Sequence, residues 1–83
     1  MYQVVKRDGQ IADFDIAKIS AAITKAFEAQ QKQYHPTIID MMSLKVTADF
    51  EPKIREDLVQ VEEIQDSVER VLVQAGYADV AKA

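Results

Sequence analysis

Residues 6–15 read KRDGQIADFD, and the fold turns on how this stretch is parsed. Asp8-Gly9 is the dipeptide best able to supply the positive φ angles of a tight hairpin, and it lies between two runs rich in β-favouring residues, Tyr2 to Lys6 and Ile11 to Phe14. The stretch therefore predicts a β-hairpin across Arg7-Asp8-Gly9-Gln10. Two registers are open: a two-residue loop pairs Lys6 with Ile11, and a four-residue loop pairs Val5 with Gln10, which changes the residues that share a face. Turn chemistry accounts for Asp8 and Gly9 but not for two adjacent cations, Lys6 and Arg7, in a chain whose formal net charge is −4.

Working outward, Asp15 stands where a helix N-cap belongs, and Ile16, Ile19, Ile23, Ala26 and Phe27 follow at helical spacing. A first helix is expected over about 16–30, ended by the polar run Gln30, Gln31, Lys32 and Gln33. Pro36 suits the first position of a second helix, whose stripe is Ile39, Met42, Val46 and Phe50 and which should stop near Glu51, before Pro52. Leu58-Val59-Gln60-Val61 reads as a short strand. Glu62 and Glu63 favour the positive end of a third helix, carrying Ile64, Val68, Val71, Leu72 and Ala75, with Gly76 as its stop. Tyr77 to Ala83 begins a fourth helix without a cap or polar tail, which points to an N-terminal fragment of a longer chain. One domain over 1–83 is expected, mainly helical with a small β part.

Composition removes several classes of function. Hydrophobic residues at 48% with charged residues at 29% describe a folding globular chain, not a disordered tail. The absence of cysteine excludes a disulfide framework and a thiolate metal site, and the single histidine cannot build a zinc site unaided; a reducing, cytoplasmic setting fits. No apolar run approaches the ~20 residues that span a bilayer, and no signal pattern opens the chain. A net-acidic chain repels polyanions, so neither a membrane nor nucleic acid is an expected partner, and any bound anion must be small and locally held.

Such an anion has a place to sit. Helix N-termini present free N–H groups and about half a positive charge, so Lys18, in the first turn of the first helix, is unfavourably placed unless something negative is bound there. Lys6 and Arg7 on the hairpin could converge on the same spot, making three cations suited to a phosphate chain, with Val4, Phe14 and Ile19 walling an apolar slot for a flat base. The plainer alternative is a solvated turn, with Lys18 paired to Asp15.

VVKRDGQIADFDIAKISAAITKAF and the later VQVEEIQDSVERVLVQAGYADVAKA together resemble the ATP-cone, a nucleotide-binding regulatory domain found at the N-terminus of many ribonucleotide reductases and inside a bacterial repressor of their genes. The resemblance covers essentially the whole chain and rests on Lys6-Arg7-Asp8-Gly9, Phe14-Asp15 with Lys18-Ile19, and Gly76-Tyr77 with Val80-Ala81. It implies a small four-helix bundle capped by an N-terminal β-hairpin and a short third strand, Leu58 to Gln60. It also implies ATP or dATP, with Mg2+, as competing effectors at one site, switching the reductase through altered oligomer assembly. By position, Val4, Phe14 and Ile19 should line the base pocket, Lys6, Arg7 and Lys18 should meet phosphates, and Asp15 should contact base or ribose. Val61 and Gln65 fall where some members carry a hydroxyl and a histidine that help hold the nucleotide.

The resemblance names as partners the catalytic domain of a parent reductase and other cone domains. The wording of VEEIQDSVE and GYADVAKA looks closest to the anaerobic ribonucleoside-triphosphate reductases. A repressor's cone, or a helical oligomerisation module without ligand, are the alternatives. His35 reads as a solvated linker residue, Met41 and Met42 as core fillers, and Glu62, Glu63 and Asp66 as helix-start charges. Neither a nucleophile with its base nor a pair of carboxylates in a cleft can be argued, so no catalytic cofactor is expected.

Overall fold

The computed structural model describes residues 2–82. Strands β1 (Gln3–Val5) and β2 (Ile11–Asp13) are followed by helices α1 (Ile16–Ala29) and α2 (Pro36–Phe50), strand β3 (Leu58–Gln60), and helices α3 (Val61–Gln74) and α4 (Ala78–Ala81). The mainly helical α+β architecture with a three-stranded sheet is the one expected. Ala83, the expected end of the fourth helix, lies outside the described residues. No helix among the described residues is long and apolar enough to cross a membrane.

The sheet order is β2-β1-β3, β1 pairing antiparallel with β2 and parallel with β3. The hairpin register is neither of the two expected. Val5 opposes Ile11 and Val4 opposes Ala12, because the loop has three residues: Gly9 N–H donates to Lys6 O at 2.9 Å and Lys6 N–H to Gln10 O at 2.7 Å. Gly9, at φ +87°, takes the left-handed position that closes such a loop. The outcome decides the faces. Val4, Lys6, Ala12 and Phe14 look toward the helices, while Ile11 is left 55% exposed.

A second tight turn was not legible. Arg55 and Leu58 exchange both backbone hydrogen bonds, at 2.8 and 2.9 Å, across Glu56 and Asp57, whose φ angles are +53° and +62°. This is the geometry of a two-residue hairpin turn that prefers Asn-Gly, built here from residues that pay for the left-handed region in strain. Asp57 O also accepts from Gln3 N–H at 2.8 Å, so the strained turn docks β3 beside β1.

Helices α1 and α3 end alike. Lys32 N–H reaches Phe27 O at 3.0 Å past Gln31 at φ +54°, and Tyr77 N–H reaches Leu72 O at 2.8 Å past Gly76 at φ +90°, satisfying carbonyls that the helix leaves free. The two residues just beyond these stops meet: Lys32 Nζ lies 5.3 Å from the Tyr77 ring centroid and 2.8 Å from Asp79 Oδ2. Helix α2 ends at Phe50, ahead of Pro52 as expected, and passes into a single 3-10 turn, Glu51–Lys53, that includes Pro52. His35 is a capping residue, its Nδ1 accepting from Thr37 N–H at 3.1 Å.

The core gathers the expected stripes, Ile19, Ile23 and Phe27 from α1, Ile39, Met42, Val46 and Phe50 from α2, Val59 from β3, and Ile64, Val71 and Leu72 from α3, with Val80 added by α4. Four expectations fail: Ile16, Met41 and Ala75 are exposed, and Val61 opens α3 instead of closing β3. Helices α2 and α3 are further tied by Arg70, whose Nε and Nη2 donate to Asp49 Oδ2 at 3.0 and 2.6 Å.

Two stability predictions follow from this packing. Asp57→Gly relieves the strained turn and should raise the unfolding free energy by up to about 1 kcal/mol, read from urea melts; a loss of stability would show that the left-handed backbone carries no strain. The Arg70 guanidinium holds the Asp49 carboxyl below its ordinary value of 3.8. A depressed folded-state value means that the stabilisation is complete at neutral pH and is lost as pH falls below the ordinary value. Asp49→Asn should therefore cost up to about 1 kcal/mol at pH 7, and the gap to the parent should close on acidification.

Candidate functional site

Asp15 begins the site. Its Oδ1 accepts from Ala17 N–H at 3.0 Å, which caps α1 and turns the chain sharply out of β2, so that the hairpin lies across the N-terminus of α1. Phe14, the residue before the cap, packs against Tyr2 at 4.8 Å and Phe50 at 5.6 Å between ring centroids. Between this hairpin, the first two turns of α1 and the first two turns of α3 lies a cleft of about 240 Å³.

Eight of the nine predicted site residues, Val4, Lys6, Phe14, Asp15, Lys18, Ile19, Val61 and Gln65, line this cleft. Its walls are mostly apolar, completed by Ala12, Ala22, Ile64 and Val68. Lys6 and Lys18 are exposed and supply positive charge beside the N-terminus of α1. Lys18 is not in an ion pair with Asp15: among the described residues the ion pairs are Arg7–Glu62, Lys32–Asp79 and Arg70–Asp49. The ninth residue, Arg7, is placed differently. It is absent from the cleft lining, and its Nη2 instead donates to Gln65 Oε1 at 2.6 Å, with Nε 3.6 Å from Glu62 Oε2.

A mostly apolar slot that two lysines also line, beside the N-terminus of α1, can take a flat apolar ring and an attached anion. A family model, the ATP cone domain, matches residues 2–83. The chain belongs to the ATP-cone family. Over 95% of its length it is 41% identical to a ribonucleoside-diphosphate reductase subunit alpha of Chlamydia pneumoniae, covering 8% of that protein. Over 96% it is 38% identical to a vitamin B12-dependent ribonucleoside-diphosphate reductase of Mycobacterium tuberculosis, covering 11% of that protein. A third relative, the reductase subunit alpha of Chlamydia trachomatis, is 35% identical over 95% of the chain, covering 8% of that protein. The cone thus spans about a tenth of the length of the curated relatives it matches. All three are named as diphosphate reductases, so the expected likeness to anaerobic triphosphate reductases is not what these names carry.

Five residues of the cone's cleft went unread in the sequence: Ala12, Asp13, Ala22, Ile64 and Val68. Ile64 and Val68 were assigned to the core alone, although Val61, Ile64, Gln65 and Val68 follow the spacing of one helix face. Ala22 lies one turn beyond Lys18 and Ile19 in the same way. Ala12 became legible only with the hairpin register, since a slip of one residue would have turned Ile11 inward instead. The two alanines matter because they are small, and the hollow lies where their side chains stop short.

Asp15 carries a structural duty separable from any contact with ligand. Asp15→Ala should lower the cone's stability by about 1 kcal/mol through the lost cap, while Asp15→Asn, able to accept the same hydrogen bond, should melt within a few tenths of the parent. Equal melting of Ala and parent would remove the cap from the account.

Proposed function

We propose that the cleft receives an adenine nucleotide as an allosteric effector, ATP or dATP, with the base on the apolar walls and the phosphates over Lys6, Lys18 and Arg7. The observation that carries this reading is the union in one cleft of an apolar slot with Lys6 and Lys18 beside a capped helix N-terminus. Membership of the ATP-cone family supports it independently. The free oxygen of Asp15 and the amide of Gln65 are the polar groups within reach of base and sugar. Among the described residues no group of three or more His, Cys, Asp or Glu could hold a metal ion, so Mg2+ would arrive bound to the phosphates.

The proposal extends to the parent protein. The relatives' names support a ribonucleotide reductase of the diphosphate type, in which this cone is an N-terminal regulatory unit acting on the catalytic domain and on association between cones. The cone contributes no catalytic group of its own.

Guanine would bring a carbonyl and an exocyclic amine to walls that offer few partners, and a polar group buried without a partner is costly. Titration calorimetry should therefore show ATP bound more tightly than GTP. Lys6→Ala, Arg7→Ala and Lys18→Ala should each weaken ATP about 10-fold or more, the worth of one charge-assisted contact, while melting within about 0.5 kcal/mol of the parent. If all three bind ATP like the parent, or GTP binds as well as ATP, the reading is wrong. If they melt early instead, the cations are structural.

A further inference from the structure

The inference concerns Glu62, and it rests on the nucleotide reading above. Glu62 and Gln65 stand three residues apart on α3 and so share one helix face. Both reach the hairpin tip: Arg7 Nη2 donates to Gln65 Oε1 at 2.6 Å, and Arg7 Nε lies 3.6 Å from Glu62 Oε2. Of the two adjacent hairpin cations, Lys6 lines the cleft and Arg7 is held on α3, while Gln65 belongs to both places, since it also lines the cleft. The Arg7–Glu62 side chains are 68% and 54% exposed, and a pair so open to water is worth little. A phosphate, with more charge and three acceptor oxygens, outcompetes a single carboxylate for the same guanidinium.

We infer that Glu62 competes with the effector's phosphates for Arg7 and thereby sets the affinity for the triphosphate. Arg7 does not line the cleft where α3 holds it, so serving a phosphate chain there requires its guanidinium to leave Glu62. Gln65 is neutral and leaves its own contact free to break without stranding a charge. A nucleotide too short to reach the rim leaves Arg7 on α3 and does not sense Glu62.

The test is calorimetric titration of the 83-residue chain with ATP and with AMP, for the parent, Glu62→Gln, Arg7→Ala and the double variant, with Glu62→Asp as a charge-preserving control. Glu62→Gln should bind ATP about two- to five-fold tighter, the worth of one exposed pair, with AMP unchanged. Glu62→Asp, whose shorter arm withdraws from Arg7, should share part of that gain. In the Arg7→Ala background the gain should vanish, because Glu62 acts through Arg7. A gain that persists there, or that appears equally with AMP, makes Glu62 a bulk charge effect and overturns the inference, as does no gain at all. A parent that binds no adenine nucleotide overturns the nucleotide reading itself, an outcome visible before any variant is compared.

Discussion

Everything at the hairpin end of the molecule depends on where the Phe14 ring is held. Strands of three residues do not support themselves in water, and β1, β2 and β3 are all of that length. The ring stacks on Tyr2 and meets the buried Phe50 at the end of α2, so an aromatic triangle pins the sheet onto the helices at its open end. Phe14 is followed directly by the cap of α1. Fixing the ring therefore fixes the helix N-terminus, and the antiparallel register then places Lys6 beside it. Phe14 also forms part of the cleft wall, so core and site share a side chain.

The helices were legible because each has to bury a stripe. The stripes of Ile19, Ile23 and Phe27 and of Ile39, Met42, Val46 and Phe50 recur at helical spacing, and their stops are spelled by polar or glycine residues. The hairpin was legible as an element but not in register, since Asp8-Gly9 serves loops of more than one length and only the backbone pairing chooses among them. The Glu56-Asp57 turn was illegible for a plainer reason. Neither residue prefers positive φ, and the conformation is imposed by the demand that β3 lie beside β1. Ile16, Met41 and Ile11 look like core residues by type, and what leaves them outside is the limited interior of a domain this small. At the site, residue types and positions pointed to one cleft, but the contact of Arg7 with α3 joins residues 58 apart in sequence, and no local pattern announces it.

The electrostatics of the cleft explain how a net-acidic chain can present cations where it does. Lys18 in the first turn of α1 is repelled by the helix dipole, and α1 has no acidic residue in that turn to offset it. Helix α3 shows the opposite arrangement: Glu62 and Glu63 occupy its first turn, with Glu63 Oε1 accepting from Gln60 N–H at 3.2 Å. The two helix starts facing the cleft are therefore unlike: the α1 start sets the single carboxylate of its Asp15 cap beside Lys18, and the α3 start carries two carboxylates, one of them turned to Arg7. A bound anion would relieve the first and release the second.

This asymmetry gives the cleft a mechanical meaning. Its walls come from β1, β2, α1 and α3, which are brought together from the two ends of the chain and meet across the hollow left by Ala12 and Ala22. A ligand filling that hollow, on the proposed reading, replaces water against apolar walls and ties the hairpin to α3 through its phosphates. Ligand at 100 times its dissociation constant adds about 2.7 kcal/mol to a fold that binds only when native, a large share of the stability expected of so small a domain. The same α3 ends in the turn that carries Tyr77 into α4 and onto Lys32. On that reading, occupancy of the cleft bears on α1 and α3 together, the two helices that run from the site to the end of the domain where Phe27 and Lys32 meet Tyr77.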